Sequence, residues 1–169
     1  MNSNIRNLIN EFTKDLINVL NIQIPIKDIT KIVYALGGEV RNCSLNNDRV
    51  EKNDDSFIIY VSDEQGEQRK NFTIAHELGH LFLHMGYLID RKLWEDNSNT
   101  IYRRLGASEM EYQANEFAAS LLMPKNEYER VMLENIEGNK VKTENIAEYF
   151  NVSIEAASNR GKFLGFLEW

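Results

Sequence analysis

Cysteine is almost absent: the 169 residues include one, Cys43. No internal disulfide can form, which excludes the disulfide-stapled secreted scaffolds. Long apolar runs are missing too, and none approaches the roughly 20 residues that a membrane span requires. The opening Met1-Asn2-Ser3-Asn4-Ile5-Arg6 lacks the basic region and apolar core of a signal peptide. These absences lead to the expectation of a cytoplasmic, soluble protein. Positive charge is in deficit, with 19 Lys and Arg against 26 Asp and Glu and a net charge of −7. That balance argues against a nucleic-acid binder, which presents a basic face. Histidine is scarce as well, at three residues: His76, His80 and His84.

What remains is ordinary for a globular protein, 43% apolar and 27% charged. The length suits one domain over residues 1–169. Residues 4–20 set Ile5, Leu8, Ile9, Phe12, Leu16, Val19 and Leu20 at spacings of three and four, an amphipathic helix. Pro25 opens a second, short helix that Gly37-Gly38 ends. Strands are expected over 39–44, 49–52 and 57–61, with turns at 45–48 and 53–56. Together they predict a small antiparallel sheet, whose edge could pair with an extended peptide or merely pack on the next helix. The fold class is therefore α+β, mainly helical.

That next helix, over residues 70–84, carries Phe72-Thr73-Ile74-Ala75-His76-Glu77-Leu78-Gly79-His80. Four residues on a helix advance roughly 6 Å and return to nearly the same face. His76 and His80 can therefore reach one metal ion, the use to which His-Glu-x-x-His is put. Glu77 lies beside them, able to take a proton from a metal-bound water without joining the ligands. The plainer alternative is two half-buried histidines on an amphipathic helix. Against it stands the apolar body of Ala75, Leu78, Leu81, Phe82 and Leu83, in which unpartnered polar groups would be costly. Gly79 costs about 1 kcal/mol in a helix interior, so something is expected to approach closely there. His84 lies one turn further along the same face. With roughly 12 Å of rise between His76 and His84, it is read as structural or as supporting a ligand, not as a third ligand.

Residues 87–106 are polar with weak periodicity, a long loop or a short helix over the site. Residues 108–124 then form a helix, started by a Ser108/Glu111 capping box and ended at Pro124. Ala114, Phe117, Ala118, Leu121 and Leu122 form its buried stripe, and the alanines permit close packing on a neighbour. Zinc needs a third protein ligand, and no histidine is left. Glu109, Glu111 and Glu116 compete for that role. Glu111 and Asn115 share one face, which would let Glu111 bind metal while Asn115 orients a histidine. Glu116 is the alternative, and Glu109 fits a solvated face better.

The first block, followed by Glu111-x-x-Ala114-Asn115-x-Phe117-Ala118-Ala119-x-Leu121-Leu122-Met123-Pro124, resembles the ImmA/IrrE family of metallopeptidases. The resemblance covers roughly residues 30–165. It implies a zincin-like domain with a gluzincin-type site, in which His76, His80 and Glu111 bind Zn²⁺ and Glu77 is the catalytic base. It further implies a bacterial or phage enzyme that cleaves a DNA-binding repressor, by Glu-assisted attack of zinc-bound water. Related proteins occur in toxin–antitoxin-type pairs, so the alternative is a non-catalytic, zinc-containing regulator that binds such a partner.

Residues 139–169 hold a helical pair broken at Asn151-Val152-Ser153, with Ser153 as N-cap, similar to a helix-turn-helix. Arg160 and Lys162 could contact DNA, but Glu155 and the acidic whole oppose it. The expectation is that the pair packs on the domain, with DNA binding unlikely.

Overall fold

The computed structural model describes residues 3–96, 101–103 and 109–168, the middle segment by its backbone. Among the described residues the elements begin with α1 (Ser3–Val19), α2 (Thr30–Ala35), β1 (Glu39–Cys43), β2 (Arg49–Asn53), β3 (Ser56–Ser62), α3 (Glu67–Leu83) and α4 (Arg91–Asp96). They continue with β4 (Ile101–Arg103), α5 (Glu109–Leu122), α6 (Lys125–Glu134), β5 (Ile136–Glu137), β6 (Lys140–Val141), α7 (Thr143–Phe150) and α8 (Ile154–Phe163). The architecture is α+β and mainly helical, as the sequence led us to expect. No described helix is long and apolar enough to cross a membrane. The expected Ser108 cap lies outside the described residues.

The sheet is mixed, in the order β1-β3-β2-β4. β2 pairs antiparallel with β3 and β4, but β1 runs parallel to β3, with Glu39 opposite Ile58 and Cys43 opposite Ser62. The sequence predicts an antiparallel sheet, and β1 departs from it. Burial explains the difference. Phe57, Ile58, Ile59 and Val61 are buried on both faces of β3, so β3 takes the middle. β1 carries Glu39, Arg41 and Asn42, and charge of this kind suits an edge. Asp48, in the β1–β2 connection, ties the sheet to the next helix. Its Oδ1 accepts from the Ser62 N–H (2.8 Å) and its Oδ2 from Gln65 Nε2 (2.6 Å). Gln65 Oε1 in turn accepts from the Thr73 hydroxyl of α3.

α2 starts at Thr30, later than Pro25 suggests. Asp28 Oδ1 accepts from the Thr30 N–H and hydroxyl, so the turn that opens the helix is made by Asp28. α3 ends at Leu83, and Gly86 at φ +76° turns the chain away.

α3 packs most extensively on α5 and also covers β2 and β3, while α1 crosses α5. Phe12 of α1 meets Phe82 of α3 edge-on and Phe117 of α5 at a tilt. On the far side Tyr128 of α6 stacks on Phe150 and Phe166, and its hydroxyl donates to the Ala157 carbonyl.

One charged group lies deep in this packing. Arg160 of α8 is 2% exposed. Its Nη1 donates to Glu116 Oε1 (2.8 Å), its Nε to the Met123 carbonyl and its Nη2 to Asn10 Oδ1. Asn10 Nδ2 also donates to Glu116, so α1, α5 and α8 share one polar knot. Burial pushes the Arg160 guanidinium below its usual range and the Glu116 charge pulls it back. Ser153 caps α8 as expected, its Oγ accepting from the Ala156 N–H. Arg160 is thus an internal tie and not a surface cation.

Candidate metal centre

α3 and α5 cross where neither carries bulk. A Cβ placed on Gly79 would sit 3.0 Å from Ala114 Cα and 3.1 Å from Ala114 O. Those are backbone atoms that cannot swing aside, so any side chain here would have to push the two helices apart by a few tenths of an ångström. The close element anticipated at Gly79 is therefore α5. Ala114 is three residues after Glu111, and the approach delivers the Glu111 carboxylate to the histidine face of α3.

Three donors converge there. His76 Nε2 and His80 Nε2 are 3.0 Å apart. Glu111 Oε2 lies 3.3 Å from His76 Nε2 and Oε1 lies 3.2 Å from His80 Nε2. Zinc–ligand bonds of about 2.0–2.1 Å in a tetrahedron put neighbouring donors about 3.3–3.4 Å apart. The triangle is thus close to the size that a small metal ion spans. All three residues are buried, at 1%, 1% and 6% exposure.

The ring protons support the same fit. Asn115 Oδ1 lies 2.8 Å from His76 Nδ1. A carbonyl oxygen only accepts, so the His76 proton sits on Nδ1 and the Nε2 lone pair faces the centre. His80 is fixed through a longer chain. Gln113 Oε1 accepts from His84 Nε2–H (3.0 Å). Burial holds the His84 pKa below its ordinary value, so the neutral ring leaves Nδ1 as an acceptor. His80 Nδ1–H donates to it at 2.9 Å, and the His80 Nε2 lone pair also faces the centre. Two lone pairs and a carboxylate at this range repel one another without a cation between them. The donor set therefore fits a divalent metal.

His84 thus bonds His80 from outside the triangle. Gln113 had no signal in the sequence; two residues before Asn115, it reads as an ordinary helix-surface residue. Replacing His84 with alanine removes the acceptor that orients His80. Outer partners of this kind are worth about 10- to 100-fold in metal affinity. A competition titration with a chelator is expected to show that loss, with partial recovery in His84→Gln, whose amide oxygen can accept.

Glu116, the alternative third ligand, belongs to the Arg160 knot. Glu109 is exposed. Glu77 is 0% exposed, between the two histidines in sequence. Burial pushes the Cys43 thiol up, and the Asp48 and Glu77 carboxylates act in the same direction. Tyr87 is buried and its hydroxyl donates to the Leu36 carbonyl. Arg69 is exposed on α3. The side chain of Tyr102 lies outside the described residues.

A family model described as Peptidase_M78, IrrE N-terminal-like domain, matches residues 35–162. That span includes every residue of the centre and of its supporting hydrogen bonds. No curated protein matches the chain.

Proposed function

The chain belongs to the IrrE N-terminal-like family of Peptidase_M78, and from this we propose that it is a zinc-dependent metalloendopeptidase acting on a protein substrate. The observation that carries the reading is the buried triangle of His76, His80 and Glu111 with its lone pairs turned inward, beside the buried Glu77. His76, His80 and Glu111 would hold the ion. Zinc bound there supplies Lewis acidity, which acidifies water and polarises a carbonyl at one point. Asn115 and the His84–Gln113 pair hold the two imidazoles in the tautomer that binds. Glu77 takes the proton of the attacking water and returns it to the amine that leaves. Burial keeps bulk water from competing for that proton. The exposed edge of β1 offers backbone groups to an extended peptide.

For the substrate we propose a DNA-binding repressor or an antitoxin encoded nearby. The family resemblance supports this choice, and so does charge. An acidic chain, net −7, attracts basic partners, and DNA-binding proteins are basic. Metal analysis of the purified protein beside His80→Ala and Glu111→Ala tests the centre. About one zinc per chain, lost in both variants, is expected. Zinc kept by Glu111→Ala would overturn the ligand assignment. Incubation of the zinc-loaded chain with repressors from adjacent genes then tests the activity, and a partner bound but never cut would favour a regulator.

A further inference from the structure

A cavity of about 420 Å³ lies between α3, α5 and α8, on the outer side of the metal centre. None of His76, Glu77, His80 or Glu111 lines it. It meets the centre at one residue, Asn115, whose Oδ1 accepts from the outward Nδ1 of His76. An occupant there touches no reacting atom, but it does touch the group that orients a ligand. Phe72 of α3, Tyr112 and Ala119 of α5, and Ala156 and Phe163 of α8 form the apolar walls. Tyr112 and Phe163 remain 51% and 45% exposed. Aromatic surface left open around a concavity of this volume is the ordinary mark of a small-molecule pocket.

Charge sets what else the occupant carries. The chain is acidic, net −7, yet the charged groups of this cavity are Arg6 and Arg160 against Glu116. Arg160 Nη1 takes the Glu116 carboxylate at 2.8 Å. Arg6 is the surplus cation. Its Nε stands 3.4 Å from Glu116 Oε2 and makes no hydrogen bond, and its side chain is 30% exposed. The Arg6 guanidinium lies over the Phe163 ring, 4.7 Å from the centroid. Both residues also line a second cavity of about 490 Å³, which adds Lys14 and Lys125 against Glu11. At Phe72, Ala156 and Asn159 the first cavity meets another of about 800 Å³, where Glu67 and Glu155 stand against Arg69. The positive end is therefore at Arg6, and the acidic end is toward the α7–α8 turn.

We propose that this cavity is an effector site for an apolar carboxylic acid, and that its occupancy tightens the metal centre through Asn115. The carboxylate pairs with Arg6, and the hydrocarbon body covers the aromatic walls. A small acid would lose hydration for too little apolar contact, and a neutral ligand would leave Arg6 unmatched. Asn115 is exposed, so water competes for the oxygen that His76 needs. An apolar body over the cavity removes that competition, and a hydrogen bond in drier surroundings is stronger. His76 is then held more firmly in the tautomer whose Nε2 faces the ion. Linkage makes the effect mutual: the ion raises affinity for the acid by the same factor. The inference rests on the metal centre and not on cleavage, so it is separable from the peptidase reading.

The test titrates octanoate, octanamide and acetate into the ¹⁵N-labelled chain, with and without zinc. Octanoate is expected to shift the amide resonances of Ala119, Ala156 and Asn159 in both states. Octanamide should bind about tenfold more weakly, the usual worth of a hydrogen bond to a charged group, and acetate should leave those resonances in place. Arg6→Gln should bring octanoate down to the level of octanamide. A chelator competition reads the coupling. Saturating octanoate should tighten zinc binding at least about fivefold beyond the effect of acetate, which corrects for carboxylate on free zinc. Asn115→Ala should still bind octanoate, but its zinc affinity should no longer respond. Shifts that need zinc and centre on His76, His80 and Glu111 would put the carboxylate on the ion and overturn the site. Equal binding of octanoate and octanamide would overturn the role of Arg6. Zinc affinity indifferent to octanoate in the wild type would overturn the link through Asn115. The expected shifts in a chain that cuts nothing would keep the effector site and remove the peptidase reading instead.

Discussion

Glu77→Gln is expected to lower peptide-bond cleavage by about 10²- to 10⁴-fold, the usual contribution of a general base, while zinc content stays at the wild-type level. The two side chains have nearly the same shape, so the buried position of Glu77 is filled in both. The carboxamide has no basic oxygen and cannot accept the proton of the attacking water. The side chains of His76, His80 and Glu111 are untouched, and so are the hydrogen bonds that the two histidines donate to Asn115 and His84. Steady-state cleavage read beside metal analysis separates the two effects. Wild-type cleavage by the variant would mean that another group takes the proton. Loss of zinc along with activity would mean that Glu77 belongs to the binding set.

The second large effect is structural. Arg160→Ala leaves the Glu116 carboxylate, itself 6% exposed, without its closest cation. Breaking one partner of a buried pair costs about 3–5 kcal/mol, which for a chain of this size corresponds to a fall of about 6–20 °C in melting temperature. Arg6 offers only partial relief, since its Nε is 3.4 Å from Glu116 Oε2. The double variant Arg160→Leu with Glu116→Leu should recover most of the loss, because apolar replacement of a buried pair is often neutral or stabilising. Denaturant midpoints at constant m would read both results. A single-variant loss under about 1 kcal/mol would show that the knot is weaker than its burial implies.

Periodicity made much of this legible. The spacing of His76 and His80, the Glu111–Asn115 face and the alanine stripe of α5 each state a direction from a helix, and the structure brings those side chains together. Gly79 marked the helix crossing because its lack of a side chain had no local benefit. What stayed hidden depends on elements far apart in sequence. The parallel pairing of β1 with β3 follows from which strand is most apolar overall, not from adjacency. Arg160 looked like a surface cation, since a charge next to Gly161 and Lys162 gives no sign that Asn10 and Glu116 wait 150 and 44 residues away. Gln113 is legible only once His84 is known to need an acceptor.

The crossing at Gly79 has a thermodynamic consequence. Because α3 and α5 meet backbone to backbone at Gly79 and Ala114, three residues from Glu111, the helices cannot part without dispersing the donors. Affinity for the ion and cohesion of the two helices are one equilibrium seen from two sides. An ion held there rivets the core, and a core loosened elsewhere leaks its ion.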